Sequence, residues 1–254
     1  MTDETITKGS AITRSLDILD AVATADRPLS PAEICTLLKI PKATVHRLCG
    51  TLEKRGLIEP VVDGRGFVPG RALHRMATGA LASQHYYAER HAVLQALSRE
   101  LGETCNIALP DGSRMIYFDR AETHWPVRIQ LPVGSHVPLH CTASGKMYMS
   151  MLQKTLRLRI LDSLDRERLT DNTIVDVDEL MTELSLTASR QFAIDREEYI
   201  DGMVALAVPL KDASGRLFAT LSCHAPCMRV SAEDVEQFLP ALRSAAGKFE
   251  AIGS

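Results

Sequence analysis

No stretch of this 254-residue chain stays apolar for long. The longest near-apolar run, Met203 to Leu210, is broken by Pro209 and falls far short of the roughly 18 residues that a membrane-spanning helix needs. The N-terminus, MTDETITKGS, lacks an apolar segment behind a basic patch, so no secretory signal is read there and a cytoplasmic protein is expected. Internal repeats and low-complexity tracts are absent too. Cysteine is sparse and scattered: Cys35, Cys49, Cys105, Cys141, Cys223 and Cys227 lie in a chain long enough to do without stapling, which argues against a disulfide framework. None stands at the paired C-x2-C spacing of a structural zinc site. No set of nucleophile, base and orienting group is visible, so an enzyme is not expected.

What is present is an ordinary globular composition, 45% hydrophobic and 24% charged, with length for about two domains. Charge is unevenly spread. The first 80 residues carry 11 basic and 9 acidic side chains, leaving 18 and 23 for the remainder, so a slightly positive segment precedes one of net −5. Between residues 39 and 75 the excess sharpens: Lys39, Lys42, Arg47, Lys54, Arg55, Arg65, Arg71 and Arg75 face only Glu53, Glu59 and Asp63. A polyanion partner for the N-terminal part is implied.

The spacing of Ile12, Leu16, Leu19 and Ala23 predicts a first helix with that stripe turned inward, ending near Pro28. Ser30-Pro31-Ala32-Glu33 then reads as a capping box with proline at the first helical position, opening a helix whose Ile34, Leu37 and Leu38 point inward and which stops before Pro41. A third helix runs from about Lys42 to Arg55 and is closed by Gly56. Its inner face is Val45, Leu48, Cys49 and Leu52. Its outer face holds Lys42, Ala43, Thr44, His46, Arg47, Thr51 and Lys54, where a recognition helix meets the major groove. Two short strands follow around a glycine turn whose tip is Arg65, a further DNA contact. Three helices and a hairpin make a winged helix-turn-helix.

Beyond a linker helix at about 71–88, with the domain boundary near residue 80, strands are expected at Thr104–Leu109, Met115–Arg120, Val127–Leu131, Met203–Leu210 and Leu217–His224. Helices are expected at Ala143–Met151, Lys154–Ser163, Val177–Ala188 and Ala232–Ile252. Hairpin-joined strands and separate helical blocks indicate an α+β domain over 81–254 with an antiparallel sheet.

At several points the chain resembles the IclR family of bacterial transcriptional regulators. The residues concerned are Arg14-Ser15-Leu16-Asp17-Ile18-Leu19, Thr44-Val45-His46-Arg47-Leu48, Arg55-Gly56-Leu57, Leu131-Pro132-Val133-Gly134, Pro138 through Lys146, and Asp195-Arg196-Glu197-Glu198-Tyr199 to Gly202. Ala43 departs from it, standing where members often carry serine. The resemblance implies a GAF-like (profilin-like) effector domain with a small molecule held in a cup, and binding to double-stranded DNA as a homodimer or tetramer. The matching cup residues are Ala143, Ser144, Asp195, Ala205, Ser222 and His224, of which Ala205 and His224 replace the family's Cys and Ser. Thr142-Ala143-Ser144-Gly145 opens a helix whose free N–H groups suit a carboxylate, with Arg128 on a neighbouring strand adding charge. The expected effector is therefore a small organic acid, with no cofactor and no resident metal. The alternative is a metal- or redox-responsive regulator using Cys223, His224 and Cys227; His136 with His140-Cys141 is a second grouping of soft ligands.

Overall fold

The computed structural model describes residues 10–25, 27–61, 66–81 and 84–252, and divides the chain into two units, Met1–Ser83 and Gln84–Ser254.

In the first unit, helix α1 (Ala11–Thr24) starts where the Ser10 hydroxyl accepts the Thr13 N–H. The expected capping box is present at α2 (Pro31–Leu38): the Ser30 hydroxyl accepts the Glu33 N–H and the Glu33 carboxylate accepts the Ser30 N–H. Lys39, left-handed at φ 54, ends α2 ahead of Pro41. Helix α3 (Lys42–Lys54) follows, then strands β1 (Ile58–Pro60) and β2 (Phe67–Pro69), antiparallel to one another, and α4 (Arg71–Leu81). Val45, Leu48, Cys49 and Leu52 are buried, as their spacing predicts. On α1 the expectation fails. Ile12, Leu16 and Ala23 are exposed and Leu19 is half-buried, while Ile18, Ala21 and Val22 fill the core. The helix carries two apolar stripes, and periodicity cannot rank them. On α2, Ile34 is buried and Leu37 exposed.

The second unit opens with α5 (Gln84–Leu101) and is built on one antiparallel sheet in the order β5-β4-β3-β8-β7-β6. Its strands are β3 (Thr104–Asp111), β4 (Arg114–Ala121), β5 (His136–Pro138), β6 (Ala193–Arg196), β7 (Met203–Lys211) and β8 (Leu217–Pro226). Helices α6 (Ala143–Met151), α7 (Lys154–Ser163), α8 (Val177–Arg190) and α9 (Leu239–Ile252) cover it, the last preceded by a 3-10 turn at Val235–Phe238. The expected strand at Val127–Leu131 does not form. Prolines at 126 and 132 bracket it, offering no N–H to a ladder, and the edge beside β4 is taken instead by β5. Both β5 and β6, three and four residues long, escape the sequence reading.

One sheet face, with Cys105, Ile107, Val204, Leu206, Leu221 and Cys223, forms a continuous core with Leu94 and Leu97 of α5 and Leu242 and Phe249 of α9. On the other face Ala143 and Met147 of α6 pack against Ala193, Ala205 and Ala207. The small side chains let the helix lie close. Gly145 takes closeness further, since a Cβ there would strike the Leu139 carbonyl.

Candidate functional site

Helix α3 turns Lys42, Ala43, His46, Arg47, Thr51 and Lys54 to solvent, with Thr44 half-buried at their edge. A side chain at Gly50, between Arg47 and Lys54 on that face, would meet nothing within 4 Å. The Thr51 hydroxyl donates to the Arg47 carbonyl at 3.0 Å and keeps its lone pairs free. Lys42, Arg47 and Lys54 pair with no carboxylate among the described residues. An exposed helix bearing unpaired cations beside small and hydroxyl side chains is suited to a phosphate backbone and to base edges. Arg65 lies outside the described residues.

The second site follows from strand register. Antiparallel pairing sets Thr104, His224, Ala205 and Asp195 opposite one another across β3, β8, β7 and β6. The adjacent row on the same face runs Arg120, Asn106, Ser222, Ala207, Ala193. Four of the residues expected in the cup, Asp195, Ala205, Ser222 and His224, thus share two neighbouring rows, and Ala143 lies over them. Every member of both rows is buried. A sheet face so rich in polar groups is normally wet; this one is sealed, and its groups must satisfy one another or a guest.

Most of them do. Burial, with the Arg120 charge adding to it, pushes His224 down to about 3, so the ring is neutral; Ser222 Oγ and Tyr117 Oη converge on its Nε2 at 3.3 and 3.4 Å. Arg120 donates to Asn106 Oδ1 at 2.9 Å, to Glu122 at 3.1 Å and to the Ile129 carbonyl. Asp195 Oδ1 accepts the N–H groups of Glu198 at 2.7 Å and Tyr199 at 3.3 Å, which fixes the loop after β6. Burial, then the Glu198 charge, raises the Asp195 carboxyl to about 7. Lys146, fully buried on α6, forms an ion pair with Glu198 and lies 3.9 Å from Glu183. Among the described residues, four buried polar atoms have no partner: Asn106 Nδ2, Ser144 Oγ, Glu198 Oε2 and His140 Nδ1.

Arg128 lies not on a strand but in the irregular segment after β4, bonded to Glu122 at 2.9 Å and to the Trp125 carbonyl at 3.2 Å. The sealed face itself carries a buried cation, Arg120, which sequence reading missed along with Asn106 and Tyr117. The alternation Thr104-Cys105-Asn106-Ile107 did mark a two-faced strand; nothing in it marked the polar face as buried. The soft-ligand groupings do not assemble. Cys223 faces the α5–α9 core while His224, its neighbour on the strand, faces α6, and no group of three metal-ligating side chains occurs among the described residues. Burial also raises the Cys223 and Cys227 thiols, away from reactivity.

Comparison with known proteins agrees with both halves. The model of the IclR helix-turn-helix domain matches residues 11–61, and that of the bacterial transcriptional regulator IclR C-terminal domain matches 78–251. The transcriptional regulator SauR of Cupriavidus necator is 36% identical over 237 residues, covering 93% of this chain and 94% of its own. Among solved structures, the Thermotoga maritima IclR superposes with a TM-score of 0.64 at 24% identity, covering 96% of this chain and 98% of the other. A double mutant of the Acinetobacter PobR inducer-binding domain, in complex with 3-hydroxybenzoic acid, gives 0.58 at 26% identity over 63% of this chain and 94% of its own.

Proposed function

Because the chain belongs to the IclR family of bacterial transcriptional regulators, we propose that it is a cytoplasmic, ligand-responsive regulator that binds palindromic operator DNA as a dimer. The same reading has α3 and Arg65 meeting the duplex, and a small organic acid entering the sealed polar face beneath α6. The observation that carries it is that face: rich in polar groups in two successive rows, buried throughout, and holding an unpartnered donor at Asn106 Nδ2. An inducer-binding domain of similar fold that holds a hydroxybenzoic acid supports an aromatic acid in particular. Dimerisation follows from the reach of one helix, which contacts too few base pairs for useful specificity.

Two substitutions test the halves separately. Arg47→Ala is expected to weaken binding to a cognate duplex by about 1–3 kcal/mol and to relax preference at one position; unchanged affinity in a mobility-shift assay removes Arg47 from the interface. Ala143→Leu adds bulk where α6 packs on Ala205 and Ala207, and is expected to abolish the ligand response while leaving basal operator binding intact. Calorimetry showing unchanged effector affinity in that variant would place the ligand elsewhere.

A further inference from the structure

Of the four unpartnered buried atoms, Asn106 Nδ2 is the most constrained. A carboxamide can usually be turned over, but Arg120 Nη1 donates to Asn106 Oδ1 at 2.9 Å, and a guanidinium cannot donate to an NH2 group. The amide therefore has its oxygen committed and its two N–H donors directed away from Arg120, in a residue with no solvent exposure. The neighbouring hydroxyls do not serve it: Ser222, its partner across the ladder, and Tyr117 are both engaged with His224.

Charge is graded across the same face. At the β4 end two guanidiniums, Arg120 and Arg128, share the single carboxylate of Glu122, and the remaining acceptors of Arg120 are neutral oxygens, which leaves a positive excess. Asp119, next in sequence, is taken on the opposite face by Arg90 and His91. At the β6 end that excess is absent: Lys146 pairs with Glu198, Glu183 is held by Arg190 at 2.7 Å and lies 3.9 Å from Lys146, and Asp195 adds a carboxyl with no cation paired to it among the described residues. An anion at this face is drawn to the β4 end, where the guanidiniums outnumber the carboxylates.

We propose that Asn106 reads the effector, its Nδ2 donating to a carboxylate oxygen of a small acid whose anionic end lies beside Arg120 and whose other end faces Asp195. The inference rests on the sealed face being the effector site, and it deepens that reading by assigning the ligand's orientation and a specificity-determining residue.

Asn106→Asp tests it in the full-length protein. The variant keeps an acceptor for Arg120 and nearly the same shape, but replaces the donor by a carboxylate oxygen. Calorimetric titration with benzoate, 3-hydroxybenzoate and pyruvate is expected to show binding to the wild type and a loss of roughly ten- to hundredfold in Asn106→Asp. Affinity for neutral benzamide is expected to change far less. The wild type offers a second measurement: with asparagine side chains labelled in 15N, the Asn106 NH2 resonances are expected to move on titration with whichever acid binds. If Ala143→Leu abolishes carboxylate binding while Asn106→Asp binds as the wild type does, the role of Asn106 falls and the site stands. If neither variant is affected, both fall. Failure of all three acids to bind the wild type overturns the carboxylate assignment.

Discussion

At Asp195 a carboxyl that is half-way to protonation at neutral pH still holds a loop by two N–H bonds to one oxygen. Because burial raises its value in the folded state from 3.8 to about 7, the folded protein binds a proton that the unfolded chain releases. The stability associated with this group is therefore fully present below pH about 4 and is lost progressively as the pH rises through 7. Asp195→Asn keeps the oxygen that accepts both N–H groups and removes the titration. Urea denaturation at pH 5 and at pH 8 is expected to show the wild type losing more stability between the two than Asp195→Asn does. Equal losses would mean that the carboxyl is hydrated in solution. In the proposed complex the same chemistry would bear on ligand selection, since a protonated Asp195 would donate to a ligand hydroxyl and an ionised one would accept from it.

Among the elements, α2 is the one whose start depends most on side chains. Removing the Ser30 hydroxyl frees the Glu33 N–H and loosens the reciprocal bond, so Ser30→Ala is expected to cost about 0.5–2 kcal/mol. A thermal melt unchanged by the substitution would show that packing of Ile34 alone sets the helix. Bonds from Arg27 and then Ser30 hold Glu33 down at about 2, so its contribution is present above pH 4.5 and fades as the pH falls toward 2. This capping box and the glycine stop after α3 were legible in the sequence because they rest on contacts three or four residues apart. What was not legible depended on distant chain. The inward face of α1 was decided by which of two stripes met α2 and α3, and β5 could be recognised only by the edge of β4 that it pairs with. Likewise Asp195, Ala205, Ser222 and His224 were found by family resemblance. Asn106 and Arg120 needed the register, because an alternating strand gives no sign of which face a helix will cover.

Taken whole, the molecule places its positive excess in the first unit and its negative charge in the second, so a polyanion is expected to bind the first. The α3 cations unpaired among the described residues are Lys42, Arg47 and Lys54, and the proposed contacts add Arg65. Each cation that neutralises a phosphate releases counterions and steepens the fall of log K with log salt concentration by about 0.9. A two-fold pair doubles the number of such contacts without altering the chemistry of any one. The salt slope measured on a duplex with two inverted half-sites is therefore expected to be about twice that on a duplex carrying one. Arg65→Ala is expected to lower it by about one per protomer, with the loss spread evenly over different sequences. Fluorescence anisotropy at several ionic strengths measures both quantities. Equal slopes on the two duplexes would mean that a single copy makes all the contacts, and a loss confined to one base position would make Arg65 a reader of sequence.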